Sequence, residues 1–136
     1  LSGSNSSAVL SARVASMPCL TIAALNGTSA GGSLGMVLAC DVRLAVPQAK
    51  FFYPVMRLGF LPRPGDPERM MALIGPARAK MILMGGQKIP ADEALAWGLI
   101  DRIVAPDALL DEAARIAIDA CGASAEHLRA IKALLR

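Results

Sequence analysis

The residues with the most chemical scope lie in the run Asn26-Gly27-Thr28-Ser29-Ala30-Gly31-Gly32-Ser33-Leu34-Gly35. It joins an apolar stretch at residues 20–25 to another at 33–40, through positions with little or no side chain. Such a loop lets backbone N–H groups approach a ligand closely, and a helix starting at its end adds partial positive charge. The matching ligand is an anion or a developing oxyanion. Close strand–helix packing with no ligand is the alternative. A dinucleotide site is set aside, because Gly-x-Gly-x-x-Gly is not met from Gly27, no lysine follows the glycines, and Asp41 comes too early for a ribose contact.

Gly31-Gly32-Ser33-Leu34-Gly35 also fits Gly-x-Ser-x-Gly, the nucleophile turn of serine hydrolases, with aspartates and then His127 following in hydrolase order. Two features oppose it. Gly27 to Ala30 separate the strand from Ser33, whereas the nucleophile should sit directly at a strand end. His127 lies in a helical Glu-His-Leu-Arg context that suits a solvated flank. The Clp peptidases carry a similar Ser-x-Gly at a helix start, but they need a histidine about two dozen residues on, where this chain has none. Asp66 and Glu68 are the other candidates for proton chemistry, although Asp66-Pro67-Glu68 also reads as a complete helix start with Asp66 as N-cap. Tyr53, beside Phe51 and Phe52, is a possible proton donor and more simply a packed aromatic. Arg57 and Arg63 suit phosphates or a substrate carboxylate, or else a solvated or ion-paired role. Met56, Met70, Met71, Met81 and Met84 read as flexible core filler.

The elements that must position these residues follow from periodicity and punctuation. Residues 1–7 are rich in Ser, Gly and Asn and read as a mobile loop, and 8–16 are weakly helical. Residues 20–25, between Pro18 and Asn26-Gly27, read as a buried strand of parallel-sheet type. Residues 33–40 are apolar all round and predict a short helix sunk in the core. Strands are expected at 42–46, 50–53 and 99–104. Helices are expected from Asp66 to Gly75, from Pro76 to Gly85-Gly86, and over 91–97. Residues 108–121 are amphipathic through Leu109, Ala113, Ile116, Ala117 and Ala120, and 125–135 repeat the pattern with Leu128, Ile131 and Leu135.

Composition bounds the function. The chain has 136 residues, enough for one domain. It is 54% hydrophobic and only 18% charged, which excludes intrinsic disorder and implies a deep core or faces covered by partners. Net charge is +3 with no basic block and 4% aromatics, so a nucleic-acid surface is not expected. Cys19, Cys40 and Cys121 form no CxxC pair and there is one histidine, so no metal site is expected; the cysteines read as buried, reduced thiols in a cytoplasmic protein. The longest apolar run is interrupted by Asn26, Gly27, Thr28, Ser29, Gly31 and Gly32, so no membrane span or membrane partner is expected. The start has neither the basic residues nor the apolar core of a signal peptide, and there is no initiator Met.

The motifs together carry a resemblance. Pro18 to Gly27 is similar to the segment reading KPVIAAVNG in the enoyl-CoA hydratase/isomerase (crotonase) superfamily. Without a gap, Ala30-Gly31-Gly32 falls on that family's glycine loop and Cys40-Asp41 on its "CD". Ala49-Lys50-Phe51, Tyr53-Pro54, Leu58-Gly59, Leu61-Pro62, Arg69, Ile74-Gly75, Glu93-Ala94 and Gly98-Leu99-Ile100-Asp101 continue the match. The resemblance covers about residues 18 to 136. It implies an α/β fold, the crotonase (Clp protease-like) ββα spiral, as a partial domain followed by C-terminal helices. Residues 1–136 are then a single crotonase-like domain lacking the family's N-terminal portion.

The resemblance further implies an enzyme, a lyase or isomerase, that binds an acyl-CoA thioester and stabilises its enolate in a backbone oxyanion hole. One N–H of that hole falls on Gly32, and the substrate contacts fall on Ala30, Gly31, Gly32, Tyr53 and Pro54. No cofactor is implied beyond the coenzyme A of the substrate, and the family's assembly is a homotrimer or a hexamer of paired trimers. The hydratases' two glutamates fall on Gly35 and Val55, neither of which moves a proton, and the isomerases often rely on the second position alone, which is also Val55, so Asp66 and Glu68 are the nearest substitute acids. Two other readings stand beside this one: a non-catalytic acyl-CoA-binding or structural homologue, and a thioester hydrolase using Ser33.

Overall fold

A computed structural model describes the backbone of residues 2–135 and the side chains of 8–135. The chain opens with helix α1 (Ser2–Ser16), then alternates short strands and helices. Strand β1 (Ile22–Leu25) and strand β2 (Ser29–Ala30) lead into helix α2 (Gly32–Leu38). Strand β3 (Val42–Ala45) and strand β4 (Lys50–Phe52) lead into helices α3 (Val55–Leu58) and α4 (Asp66–Leu83). Two successive strand–strand–helix turns are thus laid one after the other, as the ββα spiral requires. Strand β5 (Ile89–Pro90), helix α5 (Ala91–Trp97), strand β6 (Arg102–Ile103), a 3-10 turn (Pro106–Ala108) and helices α6 (Leu109–Gly122) and α7 (Ala125–Leu134) complete the order.

The first strand of each turn joins one sheet, the second strand the other. β1, β3 and β6 form a parallel sheet in the order β1-β3-β6, with Ile22 opposite Val42 and Leu44 opposite Arg102. β2 pairs in parallel with β4, which pairs antiparallel with β5. Between the layers lies a core built on Leu34, Leu44, Phe51, Met70, Ile82, Ile89, Leu99 and Ile100, all essentially inaccessible to water. The apolar all-round character of α2 has its cause here, since Leu34, Gly35, Val37 and Leu38 are all buried. Two polar ties fix the outer strands. Asp41 accepts from the Thr21 N–H at 2.9 Å and from Lys132 Nζ at 2.7 Å, pinning β1 and α7 to the start of β3. Arg43 is buried but satisfied, donating from Nε to Leu99 O at 2.8 Å and lying 3.5 Å from Asp101.

Several expectations are corrected. Residues 2–7 continue α1 rather than forming a loop. That helix packs on α2, and once a helix exists each further turn costs little, even through Ser and Asn. The cysteines are free but not buried: Cys121 is exposed, and Cys19 and Cys40 are half-buried. Of the methionines proposed as core filler, Met70 is fully buried, while Met56, Met71, Met81 and Met84 are 44–61% exposed. The strand expected over 99–104 is reduced to β6, because Leu99 and Ile100 enter the core directly after the Gly98 cap. The boundary at Gly75 holds: α4 is kinked there, with φ 82° and ψ 169°, a conformation reserved for glycine, and Pro76 restarts the helix.

Candidate active site

β2 brings Ala30 beside Phe52 of β4, and the chain turns at Gly31 into α2. That turn needs a glycine, since Gly31 has φ 56° and ψ −129°. Its N–H donates to Phe52 O at 3.1 Å, which locks the loop to the strand that carries Tyr53 and Pro54 at its end. Gly32 is then the first residue of α2, where a helix leaves its N–H groups without intrahelical acceptors. Ala30, Gly31, Gly32, Tyr53 and Pro54 line one open cavity of about 270 Å³, together with Val55, Leu58, Phe60, Leu61 and Arg63. All five positions expected to contact substrate therefore meet in one place.

Behind this cavity lies a polar cluster. The Tyr53 hydroxyl donates to Asp66 Oδ2 at 2.6 Å and accepts from the Arg63 backbone N–H at 3.1 Å. Asp66 Oδ1 faces Arg69 Nη1 at 3.6 Å. The Asp66 side chain is buried, and burial pushes its carboxyl up, against the opposing pull of Tyr53, Arg69 and Arg63. Burial, then the bond to Asp66, pushes the Tyr53 phenol up to about 12. Asp66 is not the N-cap its local pattern predicts. Gly65, at φ 89°, takes that position with no side-chain cap, and Asp66 turns inward instead.

The space that Asp66 fills belongs to a missing side chain. A Cβ placed on Gly35 would lie 2.0 Å from Asp66 Oδ2. The carboxylate of α4 thus occupies the volume into which a residue at position 35 of α2 would project. Gly32 shows the same device: a Cβ there would overlap the Arg63 guanidinium, whose Nη1 lies nearest.

Sequence comparison decides the lineage of this site. Residues 3–136 match the family model described as enoyl-CoA hydratase/isomerase. The chain belongs to the enoyl-CoA hydratase/isomerase family. It is 43% identical over 98 residues to a short-chain-enoyl-CoA hydratase of Clostridioides difficile, an alignment covering 72% of this chain and 63% of that one. It is 42% identical over 96 residues to a crotonyl-CoA hydratase of Syntrophomonas wolfei, covering 71% of this chain and 37% of the relative. Among solved structures, an enoyl-CoA hydratase from Bacillus anthracis superposes with a TM-score of 0.91 at 30% identity, over 97% of this chain and 51% of that one. The chain therefore spans about half to two-thirds, or less, of the relatives it matches.

Within this family member the other candidates fall apart from the cavity. Glu68 is exposed on α4 and does not line it. Ser33 is exposed beyond Gly32, and His127 is exposed on α7, its backbone N–H capped by Ser124. Neither Ser33 nor His127 lines the cavity, so nothing in the fold favours the hydrolase reading. Val55 is buried and apolar beside the cavity. Arg63 is the residue that sequence reasoning undervalued. It makes no ion pair among the described residues, and its Nε is buried without a hydrogen-bond partner. The signal was present in Pro62-Arg63-Pro64, where flanking prolines restrict the backbone and so the side chain's direction. No helix of the described residues is long and apolar enough to cross a membrane.

Proposed function

We propose that this chain carries the later half of an acyl-CoA-processing domain, in which Gly32 stabilises a thioester enolate and Asp66, through Tyr53, handles the proton. The carrying observation is the position of Asp66 Oδ2, 2.0 Å from where a Cβ of residue 35 would stand. The family's hydratases place a glutamate at that position; here the acid comes from α4 and fills the space at the Cβ of that position.

The chemistry follows from the cluster. With the thioester carbonyl against the Gly32 N–H, negative charge developing on its oxygen is stabilised by a fixed dipole that needs no reorganisation. The proton lost from the acyl carbon passes to the Tyr53 oxygen as the phenolic proton passes to Asp66. Return of the proton to a different carbon reverses both transfers, so atoms and charge balance over the cycle. Burial raises the Asp66 carboxyl above its usual range, which makes it a better proton acceptor than an exposed carboxylate. Val55 in place of the second carboxylate leaves no partner to orient a water and removes the acid on which family isomerases often rely, so proton transfer between carbons through Asp66 alone fits the site better than hydration.

The domain works in this reading as part of a homotrimer or hexamer, with no cofactor beyond the substrate's coenzyme A. Three free thiols suit a cytoplasmic setting. The test is a pair of assays on the full-length protein. A 3-enoyl-CoA is expected to be converted to its 2-enoyl isomer, while crotonyl-CoA is hydrated slowly or not at all. Rapid crotonyl-CoA hydration that survives Asp66→Asn would contradict the reading.

A further inference from the structure

Among the described residues, the buried side-chain polar atoms without a hydrogen-bond partner are Arg63 Nε, Asp66 Oδ1 and Arg69 Nη1. All three belong to the single cluster beside the cavity. Elsewhere the fold satisfies its buried cation: Arg43 donates to Leu99 O at 2.8 Å and to Cys40 O at 2.5 Å. Arg63 has no such partners, although its guanidinium lies against Gly32 and lines the cavity. Arg63 is half-buried, and an anion in the cavity would pair with its guanidinium and give its buried Nε an acceptor.

The local charge count points the same way. Two guanidiniums, Arg63 and Arg69, face one carboxyl, and Asp66 is paired with Arg69 at 3.6 Å. Asp66 is already engaged by the Tyr53 hydroxyl and by Arg69, which leaves the Arg63 guanidinium without an anionic partner of its own. Apart from Tyr53, whose hydroxyl is engaged by Asp66 and the Arg63 N–H, the rest of the lining is apolar or backbone, through Ala30, Val55, Leu58, Phe60 and Leu61. An enolate oxygen is charged only in passing and leaves the resting complex unbalanced. A coenzyme A phosphate is separated from the thioester by the whole pantetheine arm, whereas Arg63 touches the loop at which the thioester would dock.

We propose that Arg63 reads a carboxylate on the acyl chain, so that the substrate is a short dicarboxylic acyl thioester. The inference rests on the acyl-CoA reading above. Its planar fork can hold a carboxylate through two parallel N–H donors, which gives both energy and orientation. Because the guanidinium packs against Gly32, the carboxylate belongs within a few carbons of the thioester.

The test is calorimetric binding of succinyl-CoA, butyryl-CoA and free coenzyme A to the full-length protein. The two thioesters share a four-carbon chain and differ in the terminal group. Succinyl-CoA is expected to bind about ten-fold or more tightly than butyryl-CoA. Arg63→Met is expected to bring that ratio to near one, and Arg63→Lys to keep part of it. Equal affinities in the unaltered protein would overturn the proposal without need of a folded variant. A ratio that survives Arg63→Met would overturn it too, as would a loss shared equally by free coenzyme A. Binding of neither thioester would remove the acyl-CoA reading along with it, an outcome distinct from equal binding of both.

Discussion

Asp66 illustrates how one side chain can be misread locally and understood only in its surroundings. Asp66-Pro67-Glu68 reads locally as a helix start, and the helix does begin there. What turns the carboxylate inward is the absent Cβ of Gly35 on another helix, together with the Tyr53 hydroxyl 2.6 Å away. This burial has a consequence for stability. The folded-state pKa of Asp66 lies above its ordinary 3.8, so the associated stabilisation is complete below that value and is lost as pH rises through the folded pKa. Asp66→Asn, which does not titrate, should therefore gain in melting temperature over the unaltered protein as pH rises above about 4. A difference that stays constant, or runs the other way, would show that Arg63 and Arg69 outweigh burial and hold the carboxylate ionised.

At the scale of elements, the site is a contact between α2 and α4 in which one helix supplies the space and the other the acid. That predicts strong non-additivity. Gly35→Ala should destabilise by about 1–3 kcal/mol, because the added methyl must displace a buried, hydrogen-bonded carboxylate. In an Asp66→Gly background the same substitution should cost much less. A thermodynamic cycle of the two changes, followed by denaturant unfolding, gives the coupling; effects that add to within about 0.5 kcal/mol would mean that the two positions do not share the volume. Most of the elements themselves are legible from the sequence. α2, β3, α5, α6 and α7 fall within a residue or two of their periodic signals, and the buried or half-buried positions of α6 include Leu109, Ala113, Ile116, Ala117 and Ala120. β2 and β5 are two residues each, too short for any alternation to register, yet they close the loop against β4. The cavity's loop and strand-end residues could be read because they are carried by local motifs. The inward turn of Asp66 could not, because it depends on the space that Gly35 leaves open on another helix.

At the scale of the whole molecule, the chain's low charge and high apolar content find their expression on the surface. Leu61 is 87% exposed, Phe60 59% and Met84 61%, and Leu134 and Leu135 are each 82% exposed. Met56, Phe60, Leu61, Leu83 and Met84 share one open apolar groove, continuous with the candidate active site through Val55, Phe60 and Leu61. An apolar surface of this kind is seldom left uncovered in a soluble protein. Residues 1–136 expressed alone are therefore expected to self-associate or aggregate, while the full-length protein closes as a trimer or a dimer of trimers. Sedimentation of the two decides it, and a stable, soluble monomer of the short chain would show that these faces need no partner.

The central claim, that Asp66 supplies the proton-handling group at an enolate-forming site, has a direct readout that does not depend on knowing the natural substrate. Exchange of the α-hydrogens of butyryl-CoA with deuterium oxide, followed by NMR, reports enolate formation alone. The full-length protein is predicted to catalyse that exchange, and Asp66→Asn to slow it by about 100-fold or more. Exchange that proceeds unchanged in a folded Asp66→Asn protein, or that is absent from the unaltered protein, would contradict the account.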